Sequence, residues 1–209
     1  MGKKSVISYQ WLVFIVLAFF ILLKCCVLHQ QCFGFLYGIQ TYLDTPHVVV
    51  AFYLPKIAVA VCLASFAFLS RRQWWSVVLL LIIDVWCVAN LTYFRANNLF
   101  LSLDSIRMAS NLRGFTASIG QYTDATSWSF FLSTIIYAGV LFLCRNMNNR
   151  QSWIGFAVSF LMGVACSLYG GYKMFEVYHP NEDIPFDTQY LNPFVVPDDI
   201  ALDRKSTRL

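Results

Sequence analysis

Charge is what this sequence has least of: Asp, Glu, Lys and Arg together make up 12% of its 209 residues, against 58% hydrophobic. A soluble domain carries roughly 25% charged residues to coat its surface, so the bilayer is the natural solvent here. Signatures of self-contained catalysis are lacking as well. There is no Gly-rich phosphate loop, no His-Glu zinc signature and no Ser-His-Asp constellation, so no complete catalytic site and no metal site is expected within these residues. The formal net charge is +4, but the basic residues form no stripe, which argues against nucleic acid as a partner. A disulfide framework is also lacking. The seven cysteines are odd in number, and Cys62, Cys87, Cys144 and Cys166 sit inside apolar runs where a thiol behaves as a small hydrophobe.

What is present is a succession of long apolar runs: about residues 11–27, 48–69, 74–93, 128–144 and 153–172. Each is close to the ~20 residues a helix needs to cross hydrocarbon. The first follows Lys3 and Lys4 as a signal peptide would, yet no small-residue cleavage site comes after it. Lys3 and Lys4, Arg71 and Arg72, and Arg145 and Arg150 all fall on one side of the five spans. The positive-inside rule makes that side the cytoplasm, with the C-terminal segment outside. The segment agrees in being acidic, with Glu176, Glu182, Asp183, Asp187, Asp198 and Asp199. The fold class expected is an all-α membrane protein: a five-helix transmembrane bundle over residues 1–172, with an outer interfacial amphipathic helix and an extended extracellular tail.

The interfacial helix is placed at about residues 98–112, where Leu99, Leu103, Ile106 and Ala109 recur at helical spacing beside Asp104, Arg107 and Ser110. An ordinary surface helix packed on the bundle fits the same pattern. Residues 173–202 read as an extracellular linker, polar and punctuated by Pro180, Pro185, Pro193 and Pro197, because such a stretch builds no core. The last seven residues, 203–209, read DRKSTRL. They resemble the translation of a sequencing-adapter oligonucleotide, and the expectation is that the natural frame is interrupted there; a solvated basic terminus is the plain alternative.

Charges inside spans are costly and mark sites by default. Lys56 and Asp84 lie at similar depths in consecutive spans, so an intramembrane ion pair between them is expected, serving either a proton or substrate path or only the packing of the two helices. Lys24, near the expected outer end of the first span, is read as snorkelling to the interface. Pro55 is expected to kink the second span. Cys25, Cys26, His29 and Cys32 form a compact cluster chemically able to hold a metal, but the spacing matches no known finger and soft residues gathered without function explain it as well.

The stretch from Tyr93, YFRANNLFLSLDSIRMASNLRGFTASIG, has an aromatic-Arg pair ahead of an apolar helix and a Ser-Asn-Leu-x-Gly element at Ser110, Asn111, Leu112, Arg113 and Gly114. It resembles the loop after the third span of the lipoteichoic acid synthase family, and five spans with an outer linker also match that family's membrane half. The resemblance covers about Trp11 to Tyr172, while the approach to the fourth span, Tyr122 to Trp128, departs from the family pattern. It implies a phosphotransferase of a bacterial cell membrane. Such an enzyme moves a phosphoglycerol or phosphoethanolamine group from a membrane phospholipid, using an extracellular domain of the alkaline-phosphatase and sulfatase superfamily. That domain, with its divalent metal and Thr nucleophile, is not among these residues, so the cofactor expected within this chain is none and the chief partner is the chain's own missing domain. Under the same resemblance Tyr93, Arg95, Asn111 and Arg113 become contacts for a lipid headgroup or phosphate, Arg offering a fork suited to phosphate. The competing readings are a complete small transporter working through Lys56 and Asp84, and a scaffold subunit without chemistry.

Overall fold

A computed structural model describes residues 3–70, 72, 74–101, 123–143 and 152–178, with side chains from Gln10 to Val177 within those ranges. Everything regular in them is helical: α1 (Lys3–Phe33), α2 (Ile39–Asp44), α3 (Pro46–Ser65), α4 (Trp74–Asn97), α5 (Ala125–Leu143) and α6 (Trp153–Tyr178), with one 3-10 turn at Phe66–Phe68 after α3. Five stretches are long and apolar enough to cross a membrane: Gln10–Phe33, Pro46–Phe68, Trp74–Asn97, Ala125–Leu143 and Trp153–Val177. The expected interfacial helix, the linker beyond Tyr178 and residues 203–209 lie outside the described residues.

α1 is the centre of the bundle. Phe14, Leu17, Ile21, Cys25, Leu28 and Cys32 recur every three or four residues and are all buried, which is the spacing of one helical stripe. Along the half nearer the N-terminus the stripe packs on Ala60, Ala64 and Phe68 of the second span, Val77 and Leu80 of α4, and Tyr137 and Leu141 of α5. Farther along, Leu28 and Cys32 meet Cys87, Leu91 and Phe130. The helices run in the order α6, α3, α1, α4, α5, so α1 is interposed between α3 and α4 although those two are joined by a short turn.

α6 reaches the bundle through α3, and small residues set that approach. A Cβ built on Gly163 would lie 2.5 Å from Cys62 Sγ and 3.2 Å from the Ala58 carbonyl oxygen, and one on Gly170 would meet Pro55 Cδ at 3.0 Å. Lipid tails are as apolar as leucine, so association in the bilayer depends on this close van der Waals fit rather than on expelling water. At the end of the bundle where α1 begins, the Ser152 amide donates to the Phe68 carbonyl across 3.0 Å, fastening the start of α6 to the end of the second span. Exposed Trp74, Trp75 and Trp153 ring that end and Trp128 marks the opposite one, as aromatic belts do at the two interfaces.

Candidate functional site

The deepest polar group in the bundle is a charged cluster on three helices. Lys24 of α1 forms a buried ion pair with Asp84 of α4, their side chains 1% and 0% exposed. The Lys24 ammonium also reaches Ser133 Oγ at 2.5 Å, the Phe130 carbonyl at 2.8 Å and Thr134 Oγ1 at 3.1 Å, all from α5. Thr134 donates in turn to the second Asp84 oxygen across 2.5 Å, and Ser133 donates to the Phe130 carbonyl at 2.9 Å. Each hydroxyl therefore gives its proton away and turns a lone pair to the lysine. Three ammonium protons face four oxygens, so the cation is fully satisfied, and both carboxylate oxygens have a donor. Net charge inside the cluster is zero, the condition under which ions are tolerated at membrane depth. Closer to the α1 N-terminal end, Tyr137 donates to Ser76 Oγ across 2.9 Å and repeats the α4–α5 link.

This corrects the expected Lys56–Asp84 pair and the reading of Lys24 as an outer snorkel. α1 does not stop near Val27 but continues to Phe33, which puts Lys24 deep in the span. A helical side chain leans toward its own helix N-terminus, so Lys24 leans toward the level of Asp84, while Lys56 on the oppositely directed α3 leans away from it. α1 also stands between α3 and α4. Lys56, 2% exposed, turns back to the Phe52 carbonyl at 2.8 Å and rests 3.5 Å from the centre of the Phe52 ring.

At the far end of the bundle Asp124 caps α5. The amide of Ser127 donates to Asp124 Oδ1 at 3.0 Å and the Thr126 hydroxyl donates to the same oxygen at 2.6 Å, the ordinary use of Asp ahead of a helix. Arg95, in the last turn of α4, donates to Asp124 Oδ1 at 2.9 Å, to Thr126 Oγ1 at 3.0 Å and to Ser127 Oγ at 3.2 Å. The Arg95 hydrogen bond, with those from Thr126 and Ser127, holds the Asp124 carboxyl well below the usual carboxylate range. Arg95 thereby ties the end of α4 to the start of α5 across the intervening loop. Of its expected companions, Tyr93 stands half-buried two residues earlier on α4, roughly 200° around the helix from Arg95, and Asn111 and Arg113 lie outside the described residues.

Cys25, His29 and Cys32 are buried but divided: Cys25 belongs to the α1–α3–α4 core, Cys32 packs with Leu28 and Cys87, and His29 faces aromatic rings. Among the described residues no three His, Cys, Asp or Glu side chains are placed to share an ion. Sequence reasoning missed Ser133 and Thr134. Their signal was available, since two adjacent hydroxyls in the middle of an apolar run are placed to serve a buried charge.

Five apolar helices, three of them joined by one neutral ion cluster, with a second polar corner at the far end of the bundle, define a multi-pass helical membrane domain. A family model for the lipoteichoic acid synthase N-terminal domain matches residues 1–190, and the chain belongs to that family. No curated protein and no solved structure matches it.

Proposed function

We propose that this chain is the membrane part of a lipid-dependent transferase that moves a phosphoglycerol or phosphoethanolamine headgroup, with the chemistry performed by an alkaline-phosphatase-like domain outside the cytoplasmic membrane of a bacterium. The observation that carries the reading is the family match over residues 1–190, on a bundle whose own deep polar cluster is saturated with partners. In this reading the N-terminus is cytoplasmic, as the basic residues at Lys3, Lys4, Arg71, Arg72, Arg145 and Arg150 favour. The α4–α5 corner then lies at the outer headgroups, and Arg95, Tyr93, Asn111 and Arg113 serve as headgroup contacts. Arg95 does so by exchanging Asp124 for a phosphate, to which its planar fork is equally suited.

The transport reading through Asp84 is less well supported. A carrier site at membrane depth needs a group free to exchange partners, and both oxygens of Asp84 are held.

Reading the source locus across the codons for Leu202 and Asp203 into downstream DNA tests the proposal. An open frame leading to a metal-binding domain with a Thr nucleophile is the expected outcome. A stop codon directly after Leu209 at the natural locus would overturn it.

A further inference from the structure

Apart from the Lys24–Asp84 cluster, a second cation is buried without a counter-ion. Lys56 is 2% exposed, and among the described residues no carboxylate pairs with it. One of its protons goes to the Phe52 carbonyl. Beside it stands His29, 3% exposed, with neither ring nitrogen hydrogen-bonded although its ring lies 4.4 Å from that of Phe52. A buried ammonium with a single hydrogen bond and a buried imidazole with none are each costly, and incompletely satisfied groups of this kind call for an explanation.

What covers them is a short strap. After α1 the chain runs without helical structure through Phe35, Leu36 and Tyr37 between Gly34 and Gly38. Tyr37 stacks edge-on against Phe52 at 4.8 Å and Phe35 lies 5.6 Å from His29. Tyr53 donates to the Tyr37 carbonyl at 2.7 Å, latching the strap to α3. Gly34 has φ +74° and Gly38 has open space around it, so both ends of the strap turn easily. The outward side of this region is apolar: Leu36, Ile39 and Leu43 are exposed on the strap and on α2, where lipid is their natural contact. The Lys56 ammonium, at the level of Phe52, lies ~9 Å along the axis from the start of α3, a depth that a lipid phosphate can approach.

The geometry points to a phosphate-binding site between α1 and α3, in which Lys56 and His29 donate to the phosphodiester of an anionic membrane lipid admitted beneath the Gly34–Gly38 strap. Two Lys56 protons and one imidazole N–H supply three donors to the phosphate oxygens, and the aromatic rings border the glycerol. The site is separate from the Arg95 corner and does not depend on the transferase reading: a lipid held here belongs to the membrane domain whether or not a headgroup is ever transferred.

The test is a binding titration on the full chain in neutral detergent, by native mass spectrometry, with phosphatidylglycerol, phosphatidylcholine and inorganic phosphate as separate probes. Phosphatidylglycerol is expected to bind at least about tenfold more tightly than phosphatidylcholine, with Lys56→Met and His29→Leu each removing about tenfold. Lys173→Met, on α6, leaves binding unchanged. Thermal unfolding separates loss of the site from loss of the fold, and the probes are compared again in an Arg95→Leu background, so that headgroup binding at the α4–α5 corner does not stand in for this site. Equal binding of the two lipids, or undiminished phosphatidylglycerol binding by a folded Lys56→Met chain, overturns the site. Inorganic phosphate competing as well as the lipid overturns the lipid as its occupant.

Discussion

Asp84 has two oxygens and a partner for each, Lys24 and Thr134, and that is why its removal and its neutralisation differ from those of a surface acid. With Asp84→Asn the Lys24 ammonium stays buried without an anion, and with Lys24→Met the Asp84 carboxylate stays buried without a cation. Each single change is expected to destabilise the bundle by about 3–5 kcal/mol, whereas the double change restores much of that loss because no charge remains inside. Thermal unfolding of the four proteins in one detergent checks this; additive losses would show that the two residues do not act as a pair. The exposed pair behaves differently. Asp124 is held ionised by Arg95, Thr126 and Ser127, so its folded pKa is below its unfolded value. Its contribution is therefore present above the ordinary carboxylate range and is lost as pH falls through the lowered folded value. Arg95→Leu is expected to move the Asp124 titration upward, read from its side-chain carboxyl carbon by NMR; an unchanged midpoint would contradict the contact. That Asp84 and Lys56 are intramembrane charges was legible from the sequence. Their partners were not, because pairing depends on which helix lies beside which, and nothing local to Lys24 or Lys56 carries that information.

Among the helices, α3 and α6 depend most on shape. Gly163 faces the Cys62 sulfur and backbone so closely that a single added carbon collides, while Gly139 on α5 has nothing within 4 Å. Gly163→Leu is expected to separate α6 from α3 and lower the unfolding temperature markedly, with Gly139→Leu close to neutral. Equal effects would show that the glycines do not set the approach. Five spanning helices were readable from apolar length alone, since backbone groups in lipid must be satisfied within the helix. Their ends were read less well. α1 was expected to end near Val27 and α6 at Tyr172, yet the polar residues after each continue the helix, to Phe33 and to Tyr178. Hydropathy reports where lipid ends, not where hydrogen bonding does, and that difference moved Lys24 from the interface to the interior.

Across the whole molecule, the neutral cluster of α1, α4 and α5 fixes one half of the bundle and the Gly–Pro and Gly–Cys contacts of α3 and α6 fix the other, with α1 between them. The polar corner at Arg95 and Asp124 lies at the end of the bundle opposite the α1 N-terminus. The function proposed above is that the domain holds and positions a catalytic partner at a lipid surface. The most direct test uses membranes carrying the protein expressed from its natural locus, supplied with phosphatidylglycerol labelled in the headgroup glycerol or phosphatidylethanolamine labelled in the ethanolamine. Transfer of label from one of these lipids to an acceptor, abolished by a metal chelator, is the predicted result. Absence of transfer from both lipids, together with an ion flux in sealed vesicles that Asp84→Asn eliminates, would contradict it.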